Sequence, residues 1–244
     1  MRFAPRSLGL ITAFALLTGS VPAAASEIKA VVELFTSQGC SSCPKADKLL
    51  GEFAGNPNLI ALSLSVDYWD YLGWRDTLAL HVHSARQKGY ANHRGARQVY
   101  TPQIVVNGVA EAIGNDRSAI DQAILKADNK SKIAVPVVLT RNGNNIDLEV
   151  GAGAGPAASI WVVSVTRKAP VTIERGENRG KTITYHNVVR SWVRVGDWNG
   201  STVRKSLSIA ELAQSGADSA AVIIQGGSLE APGPIRGAAM VSLD

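Results

Sequence analysis

Cys40 and Cys43 are the only cysteines among 244 residues, and they stand in the run Cys40-Ser41-Ser42-Cys43-Pro44. A bridge across two intervening residues closes too small a loop to remove much entropy from the unfolded chain, so a purely structural role is poorly motivated. Redox chemistry fits the spacing better. Where such a pair opens a helix, the unpaired backbone N–H groups and the positive end of the helix dipole favour a thiolate, the form that attacks a disulfide. Cys40 is then the nucleophile that forms a mixed disulfide, and Cys43, one turn deeper, resolves it. This reading requires a solvent-reachable sulfur at position 40, close to Pro102. The competing reading is an inert surface disulfide in an oxidising compartment.

The elements around the pair are suited to present it. Lys29–Thr36 is a short apolar run rich in β-branched residues, as in a buried strand. Pro44 is tolerated in a first helical turn, and Ala46, Leu49, Leu50 and Phe53 supply a stripe for a helix that Gly55-Asn56-Pro57 ends. A second strand over Leu59–Val66 and a helix over Thr77–Gln87, with Leu78, Val82 and Ala85 inward, follow. Gln103–Val106 and Val109–Ile113 flank Asn107-Gly108, a strong hairpin signal. Asp116 or Ser118 opens a last helix through Lys126. The predicted order is βαβαββα over 26–130. Beyond a short polar stretch near Asn129, strands are predicted at 135–140, 145–150, 159–166, 182–195, 202–208, 220–225 and 238–243, with one helical piece at 209–214. That series predicts an all-β, sandwich-like domain over 131–244.

Thr101-Pro102 opens the third strand, where a proline cannot donate to the ladder and a cis bond is one explanation. Strand, Cys-x-x-Cys, helix, strand, helix, Thr-Pro, hairpin and helix together resemble the thioredoxin fold over roughly 28–128. The resemblance implies that Thr101 and Pro102 lie in cis form against the first cysteine and receive the substrate chain on their backbone. A closer resemblance runs through Val32–Pro44, Asp67–Trp74, Arg86-Gln87 and Tyr100–Gln103. On these motifs the chain resembles an exported bacterial family, of unknown function, with a thioredoxin-like domain and a trailing β domain. It departs from ordinary thioredoxins in having Ser-Ser, preceded by Gly39, where they carry Gly-Pro preceded by Trp. With no histidine or other cation between the cysteines, the spacer points to an intermediate or reducing potential.

Glu33 interrupts the apolar first strand. If desolvated there, its carboxyl would have a raised pKa and could trade protons with Cys43; a salt bridge to a basic residue is the alternative. Asp67-Tyr68-Trp69-Asp70-Tyr71-Leu72-Gly73-Trp74 should overhang the cysteines, so Trp69 and Trp74 are candidate substrate contacts, or else packing between the two domains. His81, His83, His93 and His186 allow a second function, a copper- or zinc-binding chaperone in which the cysteine pair gains a histidine. The polar loop Glu174–Gly180 is read as a solvated turn with possible client contacts.

Arg2 and Arg6, the apolar stretch Leu8–Leu17 and Ala23-Ala24-Ala25 form a signal peptide over 1–25, which implies a periplasmic or secreted protein. The remainder holds no run long enough to cross a bilayer. A net charge of +5 without a basic run or clustered aromatics gives no case for nucleic acid. Phosphate loops, nucleophile elbows and dinucleotide fingerprints are lacking, so no cofactor is implied. The expected partners are a protein or small-molecule thiol or disulfide and an external electron donor or acceptor.

Overall fold

The computed structural model describes Met1 and residues 27–244, so the signal peptide read over 1–25 lies, apart from Met1, outside the described residues. The first half contains β1 (Ala30–Thr36), α1 (Cys43–Ala54), β2 (Leu59–Ser65), α2 (His81–His93), β3 (Gln103–Val106), β4 (Ala110–Ile113) and α3 (Arg117–Lys130). β1 runs parallel to β2 and antiparallel to β3, which forms a hairpin with β4. All seven residues of β1 are buried, because helices cover one face and strand and helix side chains the other. Ala30, Val32 and Leu34 meet Ala46, Leu50 and Phe53 of α1 on one side; Val31 and Phe35 join Tyr90 of α2 on the other. The hairpin turn has Asn107 and Gly108 at φ 50° and 71°, the left-handed pair that an Asn-Gly turn supplies.

One helix departs from its predicted pattern. α2 begins at His81 rather than Thr77, runs on to His93, and buries His83, Arg86, Gln87, Gly89, Tyr90 and Ala91. Its inward face is largely polar because a buried network takes the place of an apolar stripe, so apolar periodicity pointed to the wrong bounds and the wrong face.

The second half contains β5 (Val137–Asn142), β6 (Asn145–Val150), β7 (Ala158–Thr172), β8 (Thr182–Trp198), β9 (Val203–Ser208), the single turn α4 (Ile209–Leu212), β10 (Ser219–Gly227) and β11 (Pro232–Ser242). Only three of these strands form a sheet of their own. The large sheet has eight strands in the order β11-β10-β7-β8-β2-β1-β3-β4, with β8 joining β2 in parallel at Ser63 and Val188. A separate antiparallel sheet, β5-β6-β9, stacks on the outer part of the large one through Ile146, Leu148 and Val150 against Ile160, Val162 and Ile224. Two stacked sheets are therefore present, but one of them is shared with the first half. Trp161, Val163 and Val165 of β7 lie in the same apolar cluster as Val31, Leu62 and Phe35, which is why sheet and core cross position 131 without a break. The fold is mixed α/β, with a large mixed sheet and a smaller antiparallel one.

β7 and β8 are long enough to overreach the sheet. At Asn187, φ 48° and its side-chain amide bound to the Ala61 carbonyl at 2.9 Å mark a kink in β8. Ahead of that kink β8 runs along α1, close enough that a Cβ on Gly51 would sit 2.7 Å from the His186 ring. The hairpin thereby delivers the residues between β7 and β8 to the opening turn of α1.

Candidate functional site at the opening of the first helix

Cys40 and Cys43 form a disulfide. The chain leaves β1, turns through Ser37-Gln38-Gly39, and enters α1 with the Cys43 amide donating to the Cys40 carbonyl at 3.2 Å. Pro44 occupies the first helical turn, where a missing N–H is tolerated. Cys40 is 2% exposed and Cys43 fully buried, so the expected open sulfur is instead covered. Asn178, itself fully buried, packs on the same turn, and its Nδ2 donates to the carbonyls of Gln38 and Cys40 at 2.9 Å each. Beside it, the Ser41 amide donates to Glu177 Oε2 at 3.2 Å. The loop read as a solvated turn thus packs on the motif, although Glu177 and Arg179 remain exposed.

The Thr101–Pro102 bond is cis. Pro102 immediately precedes β3, and Gln103 pairs with Phe35 near the end of β1, so the bond lies at the same end of this strand pair as the cysteine turn. Trp69 links the two: its indole N–H donates to Thr101 Oγ1 at 2.8 Å, while its Cβ lies 3.1 Å from where a Gly39 Cβ would be. Trp74 donates its indole N–H to Gln38 Oε1 at 2.8 Å. Both tryptophans are half-buried around the motif, and each also meets the second half, Trp74 beside Gly176 and Trp69 on the cluster that holds Trp161 and Val163. Asp76 anchors the same loop by accepting the Gln38 and Leu78 amides, both at 2.8 Å, and burial raises its carboxyl to about 6.

Glu33 is not part of this constellation. Its carboxylate points to the α2 face, accepting from Arg86 Nε at 2.7 Å and from Tyr90 OH at 2.6 Å, and both ion-pair side chains are fully buried. Gln225 of β10 completes the cluster by accepting from Arg86 Nη2 at 2.7 Å. Burial works against the Arg86 charge, but Glu33 and Tyr90 hold its pKa above the ordinary value. With both oxygens engaged on the far face of the sheet from α1, Glu33 is a structural ion-pair partner. The proton-transfer role assigned to it from sequence is corrected on that ground.

A different buried carboxyl lies on α1. Asp47 lies four residues after Cys43, hence on the same face of α1, and is 2% exposed. Burial pushes its carboxyl up to about 8, against the lowering effect of the Thr36 hydroxyl, which donates to Oδ1 at 2.7 Å; nearby Asp76 adds to the rise. Oδ2 is buried without a hydrogen-bond partner. The signal was present in the sequence, since Cys43, Ala46, Asp47 and Leu50 follow helical spacing. No such signal existed for Asn178, which is 138 residues from Cys40.

The histidines are dispersed. His81 is exposed and bonded to Asp67; His83 is buried against the Ser65 carbonyl, with burial lowering its pKa to about 4; His93 is exposed, and His186 lies against Gly51. Among the described residues, no group of three or more His, Cys, Asp or Glu side chains is arranged to hold a metal ion. Among the described residues, too, no helix is long and apolar enough to cross a membrane.

Comparison with known proteins places this geometry in a family. A search of curated proteins found no match. The chain is similar to the solved structure of protein AGR_C_4864 from Agrobacterium tumefaciens, with 34% identity, 89% of this chain and 96% of that chain covered, and a TM-score of 0.78. The family described as protein of unknown function (DUF1223) matches residues 31–225, a span that includes the disulfide, the cis proline, the Glu33–Arg86 pair and Asn178. The chain belongs to the DUF1223 family.

Proposed function

We propose that the protein is a thioredoxin-like thiol–disulfide oxidoreductase that works in the periplasm or outside the cell. The observation that carries the reading is a cysteine pair bridged at the start of α1, with the cis Thr101–Pro102 bond at the same end of the β1–β3 pair. The order β2-β1-β3-β4, with β1 and β2 parallel and β3 and β4 antiparallel, supports the thioredoxin-like reading of the first half. The arginines, apolar stretch and alanines of the first 25 residues support export.

Cys40 is 2% exposed in the bridged state, so the reading requires its cover to move aside; in the reduced protein the Cys40 thiolate then attacks a client disulfide, forming a bond to one client sulfur and releasing the other as a thiolate. Cys43 then loses its proton and attacks Cys40 Sγ. The mixed disulfide breaks, the second client thiolate leaves, and the Cys40–Cys43 bridge remains. Two electrons pass to the client, and an external dithiol restores the reduced pair. Asp47, with a carboxyl near 8, is matched to a thiol and receives the Cys43 proton directly or through one water. Trp69 and Trp74 hold the Thr101 side chain and the Gln38 turn in register with the sulfur pair.

The test is a Cys43→Ala variant expressed with its leader. It should leave Cys40 covalently linked to clients, released by reductant, and the parent should turn over insulin disulfides. Recovery of no linked species, together with no insulin turnover, would overturn the proposal. The copper- or zinc-chaperone reading gains no third ligand from the arrangement of the histidines.

A further inference from the structure

Deeper than the cysteine pair, the layer between α1 and the sheet is polar. Side chains alternate along β2, and Ala61 shares an apolar cluster with Ala46 and Leu50 of α1, so Ser63 and Ser65 look toward the same helix. Thr36, paired with Ser65, donates its hydroxyl to Asp47 Oδ1 at 2.7 Å. β8 adds the next wall: Val188 pairs with Ser63, and the fully buried Tyr185 packs with Val188 and Leu78. Four buried polar atoms of this layer have no hydrogen-bond partner, namely Asp47 Oδ2 and the hydroxyls of Ser63, Ser65 and Tyr185. One such atom would be an isolated exception; four along one face form the donor and acceptor set that an internal water needs. Burial pushes the Tyr185 phenol up, and Asp47 and Asp76 push it further, which puts both carboxyls within electrostatic reach of the hydroxyl. Among the described residues, no Lys, Arg or His forms an ion pair with Asp47. The titratable groups around it are Cys43 on its own helix, Tyr185 on β8 and Asp76 in the loop after β2, while His186, against Gly51 one turn along, has Lys168 as its charged neighbour.

We propose that Tyr185 is a positioning residue for the proton acceptor: its hydroxyl, with those of Ser63 and Ser65, holds an internal water against Asp47 Oδ2, and this water stabilises the Asp47 carboxylate. The proton chemistry rests on the thiol–disulfide reading above; the water link does not. When Cys43 resolves a mixed disulfide, its S–H proton moves to the Asp47 carboxylate, the Cys40–Cys43 bond forms and the client thiolate leaves. When an external dithiol reopens the bridge by attacking Cys40 Sγ, Cys43 leaves as a thiolate and takes the proton back. Only the carboxylate form accepts a proton, so a donor that favours it sets the pH range in which resolution runs. Tyr185 belongs to the second half of the chain, and the buried acid site is incomplete without β8.

The experiment follows the Asp47 carboxyl carbon by NMR titration of the oxidised protein, its signal identified by its loss in Asp47→Asn, alongside the pH profile of insulin-disulfide turnover. Tyr185→Phe keeps the ring and removes the hydroxyl. With one hydrogen bond to a charged group lost, the Asp47 midpoint should rise by about one pH unit from about 8, and turnover at pH 7 should fall about tenfold, with the profile displaced to higher pH by the same amount. Ser63→Ala, the smaller excision, should move both in the same direction by about half a unit. A merely structural Tyr185 would cost stability and leave the midpoint in place. An Asp47 midpoint equal in parent and Tyr185→Phe therefore overturns the link, and should Tyr185→Phe not fold, an unmoved midpoint in Ser63→Ala overturns it. A midpoint that rises while the turnover profile stays put upholds the water link and removes the proton role given to Asp47. If no protein turns over insulin, the thiol–disulfide reading fails instead, and the titration alone judges the link.

Discussion

Replacing Asp47 by asparagine separates the buried carboxyl from every other titrating group in the protein. In the oxidised state the cysteines carry no titratable proton, so equilibrium unfolding reports on the carboxyls directly. Burial holds Asp47 at about 8 in the native state against an ordinary 3.8, so the native state binds its proton more tightly than the unfolded chain. Stability tied to this group is complete at low pH and falls as pH rises from 3.8 toward about 8. The limiting slope is ~1.36 kcal/mol per pH unit, which amounts to about 4 kcal/mol between pH 5 and pH 8. That is a large share of a typical domain's stability. Asp76, raised to about 6, and His83, lowered to about 4, titrate in both proteins, and their contributions largely cancel in the difference. Urea denaturation across pH 5–9 should show the parent losing stability steadily relative to Asp47→Asn, with the difference levelling off above pH 8. A constant offset would reflect only the poorly bonded asparagine amide. Parallel profiles over the whole range would refute the raised carboxyl, and with it the proton acceptor assigned to Cys43.

Two further outcomes follow from the same geometry. Glu33→Gln should cost about 3–5 kcal/mol by urea denaturation, because it strands the Arg86 charge in the interior, while the pH profile of Cys40 alkylation in the reduced protein overlays the parent; a displaced alkylation profile would return Glu33 to the site. Gly114→Ala would set a Cβ 2.9 Å from both Leu34 Cδ1 and Pro102 Cβ, so the cis-proline turn must shift. Thermal denaturation should show a loss of about 1–3 kcal/mol, and insulin turnover should fall by more than that loss explains. Unchanged turnover would detach the turn from catalysis.

The spacing of Cys40 and Cys43 and the apolar run before them placed the pair at a strand-to-helix junction, and Asn107-Gly108 placed the hairpin. Those features are local: each needs only neighbouring residues and backbone preference. Apolar periodicity gave β1, β2 and α1 within a residue or two, because their inward faces are apolar or nearly so. It failed at α2, where Arg86 is buried in partnership with Glu33, 53 residues away. Burial of a charge depends on a distant counter-charge, and no local pattern announces that.

Chain order alone established a closely spaced cysteine pair, the elements that carry it and a change of character near residue 130. Tertiary structure decided the rest. Long-range strand pairing joined β8 to β2, so that four strands of the second half extend the sheet of the first while β5, β6 and β9 stay in a sheet of their own. The long β7–β8 hairpin brought Asn178 onto the carbonyls of Gln38 and Cys40. Packing on opposite faces of β1 sent Glu33 to an ion pair with Arg86 and buried Asp47, one helical turn after Cys43, against Thr36. Such outcomes depend on which face of a strand or helix meets which distant partner, and a one-dimensional pattern does not encode that until the chain has closed on itself.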